Sequence, residues 1–184
     1  MIIMVYVALL RGINVGGKNK IDMKILKRTF ENAGMTDVVT YINSGNIVFT
    51  SEETSRDKIS WTLESAIYQD FGLQIKVLIV DRTAFDGIIR ALPNTWRNDR
   101  ETRSDVMFLW DEIDGESVLE KLKINPEIDT VKYVPGAILW SVDKKSLSRS
   151  GLSKLVGTKV YKMMTVRNVN TVRRIHALMA EGRS

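Results

Sequence analysis

Two stretches of this sequence, Met4 to Leu10 and Ile75 to Val80, are nearly unbroken apolar runs. They fall far short of the roughly 20 residues that a membrane-spanning helix needs. They also lack the in-out alternation of a strand with one wet face. Runs of this kind read as strands covered on both faces, by helices on one side and by a second unit or a partner subunit on the other.

The segments between these runs supply the helices. After Met4 to Leu10 comes a glycine-rich loop to Lys20, then Asp22 as N-cap of a helix with Met23, Leu26, Phe30 and Ala33 on one face and Gly34 as its stop. Two strand-like runs follow, Val38 to Ile42 and Ile47 to Thr50, split by the turn Asn43-Ser44-Gly45-Asn46. Ser55 caps a second helix, carrying Ile59, Leu63 and Ile67, that ends at Gly72 before the strand Ile75 to Val80. This order, βαββαβ, predicts a ferredoxin-like unit. A third helix begins after Asp81 and stops at Pro93.

Residues 94–104, with Trp96, Arg97, Arg100 and Arg103 and no apolar period, read as a connecting loop. The element order then recurs. Strand Val106 to Trp110, helix Glu116 to Leu122, strands Thr130 to Val134 and Ala137 to Val142, a short helix from Gly151, a strand near Lys162 to Val166 and a helix Val169 to Ala180 are expected. The fold class is therefore α+β, with two successive βαββαβ-type units packed together, at 1–93 and 105–184.

Composition narrows the chemistry. There is no cysteine, which removes disulfides, thiol nucleophiles and thiolate metal sites and fits a reducing cytosol. His176, the single histidine, lies on the last helix beside Arg173 and Arg174 and reads as a helix-surface residue, which leaves Ser-His-Asp triads and histidine-zinc sites almost nothing to build on. No cofactor and no metal are expected, since Asp111, Glu112 and Asp114 read as a solvated loop. A net charge of +5 favours anionic partners. No membrane contact is expected, and oligomeric state is not encoded in any pattern of the chain.

Three segments can carry chemistry. Gly12-Ile13-Asn14-Val15-Gly16-Gly17-Lys18-Asn19 nearly spells a phosphate-binding P-loop, but Asn19 stands where a hydroxyl must hold magnesium. Arg11, Asn14, Gly16, Gly17 and Lys18 still suit an oxyanion nest. The turn contributes Ser44 and Asn46, and Arg167-Asn168-Val169-Asn170 opens the last helix with one arginine and two asparagines where a cap needs only one. Single-stranded RNA is the weaker alternative. Val5-Tyr6-Val7 resembles one RNA-recognition signature, but Ser44 to Phe49 lacks the basic start and spaced aromatics of the other.

The chain resembles a bacterial family catalogued as domain of unknown function 1697. The resemblance rests on Ala8 to Gly17, on Thr40 to Phe49 and on Thr165 to Val172. It implies a ferredoxin-related fold and supplies no reaction. Where that family often has an aromatic within its Arg-Asn-x-Asn-Thr segment, this chain has Val169.

The expectation is thus a cytoplasmic binding protein for a small anionic or nucleotide-like ligand. Arg11, Asn14, Gly16, Gly17, Lys18, Ser44, Asn46, Arg167, Asn168 and Asn170 would line a cleft between the units. Amides and guanidinium groups supply donors but no general base. The alternatives are a phosphate-handling enzyme using Lys18 and Asp81, and an interaction module whose asparagines spend their hydrogen bonds on backbone.

Overall fold

Strand β1 (Met4–Leu10) sits inside a four-stranded antiparallel sheet between β3 (Asn46–Ser51) and β4 (Val77–Asp81), with β2 (Thr36–Tyr41) at the far edge, giving the order β2-β3-β1-β4. The computed structural model describes residues 2–181; Met1 and residues 182–184, which belong to the expected units, lie outside the described residues. By contacts the chain divides into Met1–Phe85 with Ile175–Ser184, and Asp86–Arg174.

In the first unit, Tyr6, Ala8 and Leu10 point to one face of the sheet with Ile47, Phe49, Val77 and Ile79. Against them pack Leu26 and Phe30 of α1 (Met23–Asn32) and Ile59, Leu63 and Ile67 of α2 (Arg56–Phe71). Phe49 is the hinge of this core, stacked on Tyr6 at 5.6 Å and met edge-on by Phe30 at 5.8 Å. The alternate residues Val7, Leu9, Val48, Leu78 and Val80 are buried too, so both faces of the sheet are out of water, as the unbroken runs require. Tyr6 is wholly buried and its hydroxyl donates to Glu53 O at 2.7 Å, which leaves no stacking platform for RNA bases at this position.

The helix ends follow local rules. Asp22 Oδ1 accepts from the backbone N–H of Lys24 and Ile25, Ser55 Oγ from that of Lys58, and Gly72 closes α2 in the left-handed conformation. Asp81 does the same for α3 (Arg82–Ala91), accepting from Ala84 N at 2.8 Å. Every strand pairing in this sheet is antiparallel, whereas a P-loop fold needs parallel neighbours.

The second unit holds β5 (Thr102–Leu109), β6 (Thr130–Val134), β7 (Ala137–Asp143) and β8 (Met164–Asn168) in the order β6-β7-β5-β8, again antiparallel throughout. It departs from expectation between strands. The helix expected at Glu116 to Leu122 is a 3-10 segment, Glu116–Lys121, and that expected from Gly151 is another, Gly151–Lys154. Further 3-10 segments cover Lys144–Arg149 and Val160–Met163. Each of these runs is too short, and too rich in glycine, serine and lysine, to build an apolar stripe of several turns. Among the described residues, only α4 (Val169–Ala180) is a regular helix after α3.

The two sheets and their helices make this a mixed α and β protein. Among the described residues, no helix is long and apolar enough to cross a membrane.

Candidate functional site: a braced glycine-rich loop

The loop between β1 and α1 is built on left-handed residues: Gly12, Asn14, Gly16, Gly17 and Asn19 all have φ between 50° and 75°. Asn14 is its brace. Its Nδ2 donates to Ile21 O at 3.2 Å and to Asn43 O at 2.8 Å, while its Oδ1 accepts from Ile21 N at 2.8 Å. One side chain thereby closes the loop on itself and ties it to the β2-β3 turn. Asn19 Nδ2 adds a bond to Gly12 O at 2.9 Å, and Lys18 N donates to Val15 O at 3.0 Å across the tip.

The turn on the other side is equally constrained. A Cβ at Gly45, where φ is +83°, would lie 2.7 Å from Leu10 Cβ and 2.9 Å from Ile13 Cδ1, so only glycine fits. Asn46 is fully buried, and its Nδ2 donates to Tyr41 O and to Ser44 Oγ. Asn14, Ser44 and Asn46 therefore sit together in the first unit, as structural ties of the loop and turn.

Gly16, Gly17, Lys18 and Lys20 remain exposed, and nothing lies within 4 Å of the Cβ that Gly16 or Gly17 lacks. Beside them is an open depression of about 430 Å³ lined by Asn14, Gly17, Lys20, Ile21 and Asp22. The carboxylate of Asp22 is turned to the start of α1, so that helix terminus already has its negative group. An anion at this loop would rest on the glycine tip and the lysines.

Arg167, Asn168 and Asn170 belong to the second unit. Arg167 is buried, and its Nη1 donates to Thr165 Oγ1 at 2.8 Å and Val166 O at 2.9 Å; burial pulls its pKa down to about 10. Asn168 Oδ1 accepts from Thr171 N and caps α4, and Asn170 Nδ2 donates to Asn98 O at 2.9 Å. Arg173, one turn on, donates to the carbonyls of Trp96 and Pro93. The arginine-rich segment 94–104 is thus stapled by the first turn of α4. Of the two asparagines, Asn168 serves as the cap and Asn170 as a tie to Asn98.

Other polar clusters have structural partners. Asp114 accepts from Tyr133 OH at 2.7 Å and Gly136 N at 2.9 Å; burial and this carboxylate push the Tyr133 phenol up to about 12. Among the described residues, no group of three or more His, Asp or Glu side chains is arranged to hold a metal ion.

One feature escaped the sequence reading. A groove of about 660 Å³ lies between α2 and the residues leading into β4, with Trp61 and Tyr68 exposed along it. The signal was present as aromatics at positions 61 and 68, seven apart and off the Ile59, Leu63, Ile67 stripe.

Comparison with known proteins adds a family. No curated protein matches the sequence. A conserved bacterial protein, SP0830 from Streptococcus pneumoniae, has a similar structure, with a TM-score of 0.83, 30% identity, and coverage of 97% of this chain and 99% of that one. A family model described as a protein of unknown function, DUF1697, matches residues 3–140, which takes in the first two signature segments but not the third. With most of the chain matched, this protein belongs to the DUF1697 family.

Proposed function

We propose that this protein is a cytosolic binding module for a small phosphate- or carboxylate-bearing ligand, seated on the glycine-rich loop of the first unit. The observation that carries the reading is the exposed tip of a braced loop. Gly16 and Gly17, with φ of +58° and +75°, have open space before them, and Lys18 and Lys20 flank them. A braced loop costs little entropy to order on binding, which favours affinity from few contacts.

Binding is favoured over turnover because the groups a reaction would need are spent. Asp81 caps α3, Asp22 caps α1, and Asn14 and Asn46 are engaged with the chain itself. We also read each unit as ferredoxin-like and the second as a divergent copy of the first, a reading supported by the same strand order in both sheets. The lack of cysteine supports the cytosolic placement.

The test is a thermal-shift panel of inorganic phosphate, nucleotides, sugar phosphates and organic acids, run against potassium chloride at matched ionic strength. A ligand at about 100 times its Kd adds roughly 2.7 kcal/mol, a rise of a few degrees in Tm. That rise is expected to vanish in Lys18→Ala/Lys20→Ala and to persist in Lys58→Ala. A flat panel sinks the reading and leaves the loop as scaffold for protein contact.

A further inference from the structure

The groove between α2 and the lead-in to β4 lies entirely within the first unit and does not involve the glycine-rich loop. Trp61 is 71% exposed and Tyr68 55%, unusual for large aromatics with a packed core one face away. At about 660 Å³ the groove has the size of a small-ligand site, commonly about 300–1,000 Å³.

Its lining selects among ligand chemistries. Among the described residues, Lys76 and Glu64 are the only charged groups lining it and they offset each other, so a polyanion finds no excess of cations. A peptide strand adding to the β4 edge meets groups already used at Val77, whose N–H donates to Glu64 Oε1 at 3.0 Å and whose carbonyl accepts from Ser60 Oγ at 2.7 Å. What remains is two exposed aromatic rings bordered by the neutral donors and acceptors of Ser65, Gln69 and Gln74.

That combination matches a neutral polyhydroxylated ligand. The C–H bonds on a pyranose face meet the negative face of an aromatic ring, and hydroxyl groups at the sugar's edge pair with amides that both donate and accept. Trp61 and Tyr68 are two helical turns apart on one side of α2, about 10.5 Å along the axis at 1.5 Å per residue. This suits alternate rings of an extended oligosaccharide better than a single sugar. We propose that the groove is an oligosaccharide-binding site, with Trp61 and Tyr68 stacking on two rings and Gln69 and Gln74 bonding their hydroxyl groups.

The experiment is a titration of the full chain with maltohexaose, cellohexaose and chitohexaose, followed by tryptophan fluorescence and by calorimetry. A saturable response to at least one glycan in the millimolar range or below is expected. It should be lost in Trp61→Ala, weakened about tenfold in Tyr68→Ala, corresponding to about 1.4 kcal/mol, and unchanged in Lys18→Ala/Lys20→Ala. Both aromatic variants change exposed residues, so an unaltered Tm checks their folding. Silence toward all three glycans overturns the proposal, as does a response that survives Trp61→Ala. Self-association in analytical ultracentrifugation that Trp61→Ala abolishes also overturns it and assigns the face to a second copy.

Discussion

In the first unit the sheet is backed by two regular helices, while in the second the same strand order is backed by a chain of 3-10 segments. The helices α1 and α2 satisfy their own backbone and present ready-made apolar stripes, Phe30 among them, to Tyr6 and Phe49 of the sheet. Short 3-10 segments leave more backbone groups to be met by side chains. In the second unit Asp129 meets two such backbone groups together with two side-chain donors. Its carboxylate accepts from Trp140 Nε1 at 3.2 Å, Ser150 Oγ at 2.5 Å, Gly151 N at 2.9 Å and Asn125 N at 2.9 Å. A sheet can thus be backed by irregular chain if one buried polar residue organises it. The second unit adds this dependence on one carboxylate to an apolar core of its own, which includes Met107, Ile138, Trp140, Leu152 and Met164.

The sharpest break in that comparison is Gly151→Ala. The added Cβ would collide with the carbonyl of Lys123 and press on Trp140, a contact with backbone that cannot move aside. A loss of about 4 kcal/mol or more is expected, read as the urea midpoint by circular dichroism. A loss below about 1 kcal/mol would show that the 3-10 region repacks freely and that the contrast is overdrawn.

Next in size is Asp129→Ala, which strands four donors and should cost about 3 kcal/mol. Burial alone raises the Asp129 pKa, but bonds from Ser150, Gly151, Asn125 and Trp140 outweigh it and hold the carboxyl below its usual range. An unfolded aspartate titrates near about 3.9. The stabilisation is therefore complete above that value and is lost as pH falls through the lower, folded pKa. Wild type and Asp129→Ala should converge in stability as the solution is acidified.

In the first unit, Asn14→Ala removes three bonds from a residue at φ 53° and leaves Ile21 N–H without its acceptor. About 2 kcal/mol is expected, visible as faster amide exchange confined to the loop and the β2-β3 turn. Exchange that accelerates across the whole first sheet would contradict a local brace.

The smallest effect should come from Asp105→Asn, with the opposite sign. Burial raises the Asp105 pKa, and Arg103, at 2.8 Å, only partly opposes it. A raised folded pKa means that stability is fully present below the unfolded value and is lost as pH rises through the folded one. The variant should gain up to about 1 kcal/mol at pH 7, less whatever the exposed half of the Arg103 pair contributes, with the gain shrinking toward pH 4. Two buried carboxylates in one unit would then show opposite pH dependence because one has four donors and the other has one arginine.

Much of this was legible in the chain. The runs Met4 to Leu10 and Ile75 to Val80, the caps Asp22, Ser55 and Asp81, and the stop at Gly72 fix elements by rules acting over a few residues. The last helix, Val169–Ala180, falls within the bounds its apolar period implies. Two kinds of fact needed tertiary structure. Where the 3-10 segment Gly151–Lys154 is anchored depends on the buried partner Asp129, 22 residues earlier, which accepts from Gly151 N. Whether an asparagine serves a ligand or the chain depends on which carbonyl faces it, and for Asn14 that carbonyl belongs to Asn43. Local sequence sets backbone preference, but the spending of a polar side chain is decided by groups brought near it only when the chain folds.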